Sequence, residues 1–401
     1  MTPRTVGILA LVLFLLHDHL RGLFPFLPNL QLPLAGLAAL CAVIVGWRLT
    51  RSALVMLGVA GLAGVAVLTA PEVTYMTPYS DSKQTLVLLT LAFTLILPPL
   101  LIQARDHLRQ YLNALGLVCV LIVAGTLPAL PSIVSESGRL AIGEDGNPIW
   151  LARAAGIAAL WVGVSVLTGR LRRPWLWALA PILGIIVLTG SRGPLASLLI
   201  VLALLLPLLV RRVTLPGLAV MLASAGAGLA VFFNPMVLDG VLARFAREDR
   251  YGVTSGRDTL WAITTGWIQD VPGGIGLGGL AASLMPYARY PHNIVLETFA
   301  ELGWVAGTGL VIALGLALYR LARAARSRQF EEVMLLGVFL FALGNALVSG
   351  DLTGPKELYI AAALSVMVPG LYRRAHHVFP DHGRRDLPDA DVFPERAVSV
   401  Q

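Results

Sequence analysis

Long apolar stretches recur about every 20 to 30 residues along the chain, separated by short polar connections. A stretch of this length crosses a hydrocarbon core of about 30 Å as an α-helix, which satisfies its own backbone polar groups in lipid. The pattern predicts spans near residues 5–20, 31–47, 52–70, 84–102, 110–130, 151–168, 174–189, 195–210, 214–233, 296–319, 333–349 and 358–371, twelve in all. The expected fold class is therefore all-α, a polytopic membrane protein of about 12 transmembrane helices. Met1–Leu16 has a charged start and an apolar run with no small-residue cleavage site after it, and it reads as a retained first span.

The arginines set an orientation. With the N-terminus inside, the inner connections carry Arg48 and Arg51, Arg105 and Arg109, Arg170, Arg172 and Arg173, Arg211 and Arg212, the run Arg320 to Arg328, and Arg373 and Arg374. The short outer connections (71–83, 131–150, 190–194 and 351–357) hold at most one basic residue each. Basic residues favour the cytoplasmic side, so both termini are expected in the cytoplasm.

One interval breaks the apolar rhythm. Residues 1–233 read as spans one to nine, 234–295 as a long outer loop, 296–371 as spans ten to twelve, and 372–401 as a disordered cytoplasmic tail. Within the loop, VLARFARE (241–248) has the spacing of a short amphipathic helix lying in the membrane interface. In 255–270, Ser255 is placed to cap a helix whose apolar face is Leu260, Ile263, Trp267 and Ile268. The glycine run GGIGLGG (273–279) lacks the preceding strand of a dinucleotide-binding fingerprint and reads as a flexible turn.

Composition agrees with a membrane protein. Hydrophobic residues make up 57% of the 401-residue chain and charged residues only 13%, about half the share in soluble domains. The excess of 30 basic over 23 acidic residues lies mostly at span ends, which argues for lipid contact and against nucleic acid. Cys41 and Cys119 fall inside apolar runs without metal-ligand spacing and read as packing residues.

The candidate chemistry lies at the outer face. His292 is the one histidine in the long loop, just before a span. It is either an interfacial histidine satisfied by backbone groups or a general base, a role suited to an unperturbed pKa of about 6.5. Arg192, in the tight GSRGP turn, either snorkels to headgroups or joins backbone N–H groups to face a phosphate. Arg257, at a presumed helix start, is a solvated first-turn residue or an anion ligand. Arg289 is a phosphate contact or a rim charge, and Asp351 orients a cation or caps its turn. Arg244, Arg247 and Arg250 alternate with Glu248 and Asp249 and read mostly as surface ion pairs. No metal-ligand cluster, nucleotide motif or cofactor motif accompanies them, so metal and cofactor are both expected to be none.

In GSRGPLASLLIVLALLL (190–206), PHNIVLETFAELGWVAGTGLVIAL (291–314) and the intervening SGRDTLWAITTGWIQDVPGGIGLGG (255–279), the chain resembles the O-antigen ligase and polymerase superfamily. The resemblance covers roughly residues 185–350 and is closest to an O-antigen ligase. It implies a GT-C-like glycosyltransferase of the bacterial inner membrane with its active site on the periplasmic side. The donor is a glycan on undecaprenyl pyrophosphate, and the acceptor of a ligase is the lipid A-core oligosaccharide. By matching motif, His292 corresponds to the family's essential histidine, and Arg192 and Arg257 to the arginines that engage pyrophosphate. The motifs leave Arg289 and Asp351 unassigned.

The implied reaction is an inverting, metal-independent displacement. A repeat-unit polymerase or a protein O-oligosaccharyltransferase would use the same chemistry. A transporter of lipid-linked glycans is the alternative of another class, but it should carry charges inside its spans near the midplane. These spans read as nearly charge-free, with the cations at their outer edge.

Overall fold

The computed structural model describes residues 1–24, 26–45, 50–73, 77–127, 140, 147–209, 219, 223, 226, 257–284 and 288–368. These form fourteen α-helices and one 3₁₀ segment. In chain order they are α1 (Pro3–Leu15), α2 (His17–Leu23), α3 (Gln31–Ile44), α4 (Arg51–Leu68), α5 (Pro78–Leu101), α6 (Arg105–Thr126) and α7 (Pro148–Leu167). After the 3₁₀ segment Arg173–Ala178 come α8 (Leu179–Leu188), α9 (Arg192–Leu209), α10 (Arg257–Asp270), α11 (Gly279–Leu284), α12 (Ile294–Ala325), α13 (Phe330–Val348) and α14 (Lys356–Ser365).

Three helices start on the same device, a side-chain cap followed by proline at the first helical position. Thr2, Thr77 and Asn147 accept backbone N–H groups of Thr5, Ser80 and Ile149 at 3.3, 3.1 and 2.9 Å. Pro3, Pro78 and Pro148 then open α1, α5 and α7 at a position where no backbone donor is needed.

The centre of the bundle is α7 with α13, both buried along most of their length. Lipid provides little hydrophobic drive between helices, so close approach through small residues holds them together. A Cβ on Gly156 would lie 2.1 Å from the Phe341 ring, and one on Gly116 would lie 2.1 Å from the Trp161 indole. That indole donates to Asn113 Oδ1 at 3.2 Å, joining α6 to α7. α9 and α12 pack against α13, and α14 packs between α5 and α13. Cys41 and Cys119 are buried free thiols within this packing.

Seven of the described helices are long and apolar enough to cross a membrane: α4, α5, α6, α7, α9, α12 and α13. The expected spans near 5–20, 31–47 and 174–189 are shorter apolar helices, the last beginning as a 3₁₀ segment. Among the described residues, the last expected span holds the helix Lys356–Ser365. Apart from residues 219, 223 and 226, the span expected at 214–233 lies outside the described residues, as do the amphipathic segment 241–248 with its arginines, the Ser255 cap and the tail after residue 368. The expected span at 296–319 starts too late and is not straight. α12 begins at Ile294 and breaks at Gly303, where φ is 81° and ψ 179°.

Helix ends gather into two groups, as the arginine pattern anticipates. At one end Arg105, Arg109 and Arg170 converge on Glu331, and Arg4 donates to Gln103. At the other, His19 meets the Trp150 carbonyl, Tyr79 meets Asp351, and Lys356 meets Asp18. The candidate residues belong to this second end.

Candidate functional site

The floor of the site is the first turn of α5. A capping box between Thr77 and Ser80 fixes this turn and presents Tyr79 and Lys83. Tyr79 donates its hydroxyl to Asp351 Oδ2 at 2.7 Å. Asp351 also accepts the Thr353 hydroxyl and the Thr353 backbone N–H, at 2.9 and 3.2 Å from Oδ1. Asp351 is thus the cap of its turn and at the same time the anchor of a tyrosine from another helix. The strand of chain leading into this turn is held from below by Arg153 of α7, a buried residue whose guanidinium donates to the Ser349 carbonyl at 2.7 Å.

The roof is a small satellite core. Leu260 and Ile268 of α10, Leu280 and Leu284 of α11 and Ala300 of α12 are buried together, with Trp261, Ile263 and Trp267 packed against them. These are the residues whose spacing predicted an apolar helix face. Two indoles tie the loop down: Trp261 donates to the Pro291 carbonyl at 2.9 Å, and Trp304 to the Ile268 carbonyl at 3.0 Å.

The glycine run between α10 and α11 is not the flexible turn its composition suggests. Gly274, Gly276 and Gly278 have φ of 89°, 85° and 84°, the left-handed region in which only glycine is at ease. A Cβ on Gly276 would lie 2.3 Å from the Pro71 carbonyl oxygen, and one on Gly278 2.6 Å from the backbone of Ser80. The run caps the broken end of α12, with Ile275 and Gly276 N–H groups on the Ala300 and Glu301 carbonyls at 2.9 and 3.0 Å. Glycine serves here for close backbone contact.

His292 stands between floor and roof. Its backbone is left-handed, with φ of 59°, an uncommon state for a residue with a side chain. The next residue, Asn293, caps α12 by accepting the N–H groups of Val295 and Leu296. The ring meets Tyr290 edge-on, with centroids 4.7 Å apart, and Tyr290 in turn faces Tyr79 at 6.2 Å. Nδ1 is buried and has no hydrogen-bond partner among the described residues.

Burial first, and the Arg257 charge second, push the His292 pKa down to about 4, while Asp351 pulls it back up. The imidazole is therefore neutral at neutral pH. Burial also holds the Arg257 guanidinium below its ordinary value and lifts the Tyr290 phenol.

Of the five residues singled out from the sequence, the structure brings Arg257 and Asp351 each within electrostatic reach of His292. Arg192 opens α9 and is exposed. Its neighbour Gly193 abuts Val348, three residues before Asp351, so the GSRGP turn borders the same end of the bundle. Arg289 is exposed beside Tyr290, as a rim charge.

The expectation of nearly charge-free spans is wrong at four positions. Asp18 lies inside the expected span 5–20, Arg153 inside 151–168, and Glu297 and Glu301 inside 296–319. Both glutamates are fully buried on Lys83, with Nζ to Oε distances of 2.5 and 2.6 Å. The signal was present as two acids four residues apart in an apolar run, a spacing that puts both on one helix face. The group lies near one end of α5 and not at its middle: Lys83 follows Pro78 by five residues, about 8 Å of helix rise.

No curated protein matches the chain. Residues 177–311, which include Arg192, Arg257, Arg289 and His292, match the family model described as O-Antigen ligase. Together with the seven apolar helices long enough to span a bilayer, this match supports the place of this multi-pass, all-α membrane protein in the O-antigen ligase and polymerase superfamily.

Proposed function

We propose that the protein moves an O-antigen glycan from undecaprenyl pyrophosphate to the lipid A-core oligosaccharide at the periplasmic face of the inner membrane. The observation that carries this reading is the placement of His292 beside the Arg257 cation, with its buried Nδ1 unpaired among the described residues. A base must be unprotonated to work, and burial together with the Arg257 charge favours the neutral form of this imidazole.

His292 takes the proton of the acceptor hydroxyl. The freed oxygen attacks the anomeric carbon from the face opposite the carrier, and the bond from that carbon to the pyrophosphate oxygen breaks with inversion. Arg257 and Arg192 receive the charge that builds on the departing pyrophosphate. No metal ion is needed, in line with the resemblance noted above. Contacts of this kind, fixed before the reaction, are worth about 2.7–4 kcal/mol per donor. A pyrophosphate docked on Arg257 also offsets the charge that holds the histidine pKa down, so the donor raises the basicity of its own catalyst. Asp351 and Tyr79 frame the acceptor side, and Arg289 guides the anionic carrier from the rim.

Transfer to a second carrier-linked glycan, the polymerase reaction, is the other reading, because the family match is common to ligation and polymerisation. The test is purified protein with lipid-linked glycan and a choice of acceptors. Product on lipid A-core selects the ligase, a lengthened carrier-linked chain selects the polymerase, and product on a protein hydroxyl selects an O-oligosaccharyltransferase. No transfer to any acceptor would reject the proposal in favour of a transporter.

A further inference from the structure

The Lys83 ion triad is buried beneath the site; it touches Tyr79 but takes no part in the transfer steps given to His292, Arg257 and Arg192. α12 begins with a segment, Ile294–Leu302, that ends at the Gly303 break. Its lower end is clamped by the glycine run: the Ala300 and Glu301 carbonyls accept Ile275 and Gly276, Trp304 N–H reaches the Pro272 carbonyl, and Gly278 N–H donates to the Glu301 carboxylate. Its upper end is Asn293, and the residue before it is His292. The face of the segment turned to α5 carries Glu297 and Glu301, and Lys83 Nζ bonds both.

Lys83 is one turn along α5 from Tyr79, and its ammonium lies 5.1 Å from the centre of the Tyr79 ring. That ring faces Tyr290, which in turn meets His292. One cation therefore fixes both the helix that ends in the histidine and the tyrosine stack against which the histidine rests. A lone buried ammonium or carboxylate is costly, so the three groups keep this register as a unit.

Resting on the role proposed above for His292, we infer that Lys83 is a positioning residue for the transfer: through Glu297 and Glu301 it sets the height and tilt of the Ile294–Leu302 segment, and hence where the His292 ring meets the acceptor hydroxyl. A ring displaced by about 1 Å costs on the order of 100-fold in rate while donor binding at the arginines is left alone.

The experiment compares the full-length wild type with Lys83→Arg and with the charge-compensated triple variant Lys83→Met/Glu297→Gln/Glu301→Gln, which leaves no unpaired buried charge. His292→Ala serves as the reference. Each is taken as the monodisperse detergent-solubilised fraction, and kcat and donor KM are measured with lipid-linked glycan. The expected result for the triple variant is a kcat lower by tenfold or more with donor KM within threefold. Lys83→Arg, which keeps the cation, should recover part of the loss.

Wild-type kcat in the triple variant overturns the inference, and so does a loss confined to KM. Failure of the triple variant to fold, or a kcat loss that Lys83→Arg does not ease, makes Lys83 a stability element and overturns it as well. An active His292→Ala would instead sink the reading of the site itself, so the two failures are distinguishable.

Discussion

Replacing Arg257 by methionine removes a charge while keeping much of the side-chain volume, and it has two separable consequences. The first is on rate. If Arg257 steadies the leaving pyrophosphate, its loss lowers kcat by about 100- to 1,000-fold, equivalent to about 2.7–4 kcal/mol. The second is on pH dependence, and its sign follows from the geometry. A nearby cation disfavours the imidazolium, so Arg257 holds the His292 pKa down, and activity is lost as pH falls through that value. The acid limb of kcat/KM for the wild type should therefore lie near 4. Without Arg257 it must move up, but it must stay below the ordinary histidine value of about 6.5, because burial is the larger cause and remains. Initial rates of glycan transfer between pH 3.5 and 8, in detergent and at constant ionic strength, give both readouts. An acid limb that stays put or moves down would refute the electrostatic coupling, and wild-type kcat would refute the role at the leaving group.

Three further substitutions probe the surroundings. Asp351→Asn removes the charge that raises the His292 pKa, so the acid limb should move below the wild-type position, opposite to Arg257→Met in the same assay. Gly276→Ala puts a side chain at φ of 85° with its Cβ 2.3 Å from the Pro71 carbonyl. The backbone strain alone costs about 1–2 kcal/mol, and a lower apparent Tm should follow, whereas Gly266→Ala, in open space on α10, should be neutral or slightly stabilising. Glu331→Gln weakens the hub of Arg105, Arg109 and Arg170 at the opposite end of the bundle. Those arginines are partly exposed, so about 1–3 kcal/mol is at stake; the apparent Tm should drop while kcat of the folded fraction is unchanged.

Much of the architecture was legible because lipid imposes a strict grammar. Apolar length reports spans, and the alternation of arginines anticipated which helix ends meet, as the cluster on Glu331 bears out. The satellite core was legible from the period of Leu260, Ile263, Trp267 and Ile268. Span boundaries were less so, because hydropathy does not register a break. Leu302 and Trp304 are apolar on both sides of Gly303, yet the chain turns there.

His292, Arg257 and Arg289 were visible as polar residues of the long loop and Arg192 as the charge of a tight turn, but the pairings that support the site were not. Tyr79 and Asp351 are 272 residues apart, Lys83 and Glu301 are 218 apart, and no local pattern records such pairings. The glycine run was misread for a physical reason. Glycine confers freedom on an exposed turn, but it also permits a backbone to lie against another backbone, and the sequence is the same in both cases.

The central claim is that His292 is the base for glycosyl transfer from a lipid pyrophosphate. Its most direct test is the single-turnover rate of purified His292→Ala with lipid-linked glycan and lipid A-core, alongside donor binding measured by itself. The account predicts that transfer falls by 100-fold or more while the donor still binds, since Arg257 and Arg192 remain. A His292→Ala protein that transfers glycan at the wild-type rate would contradict it.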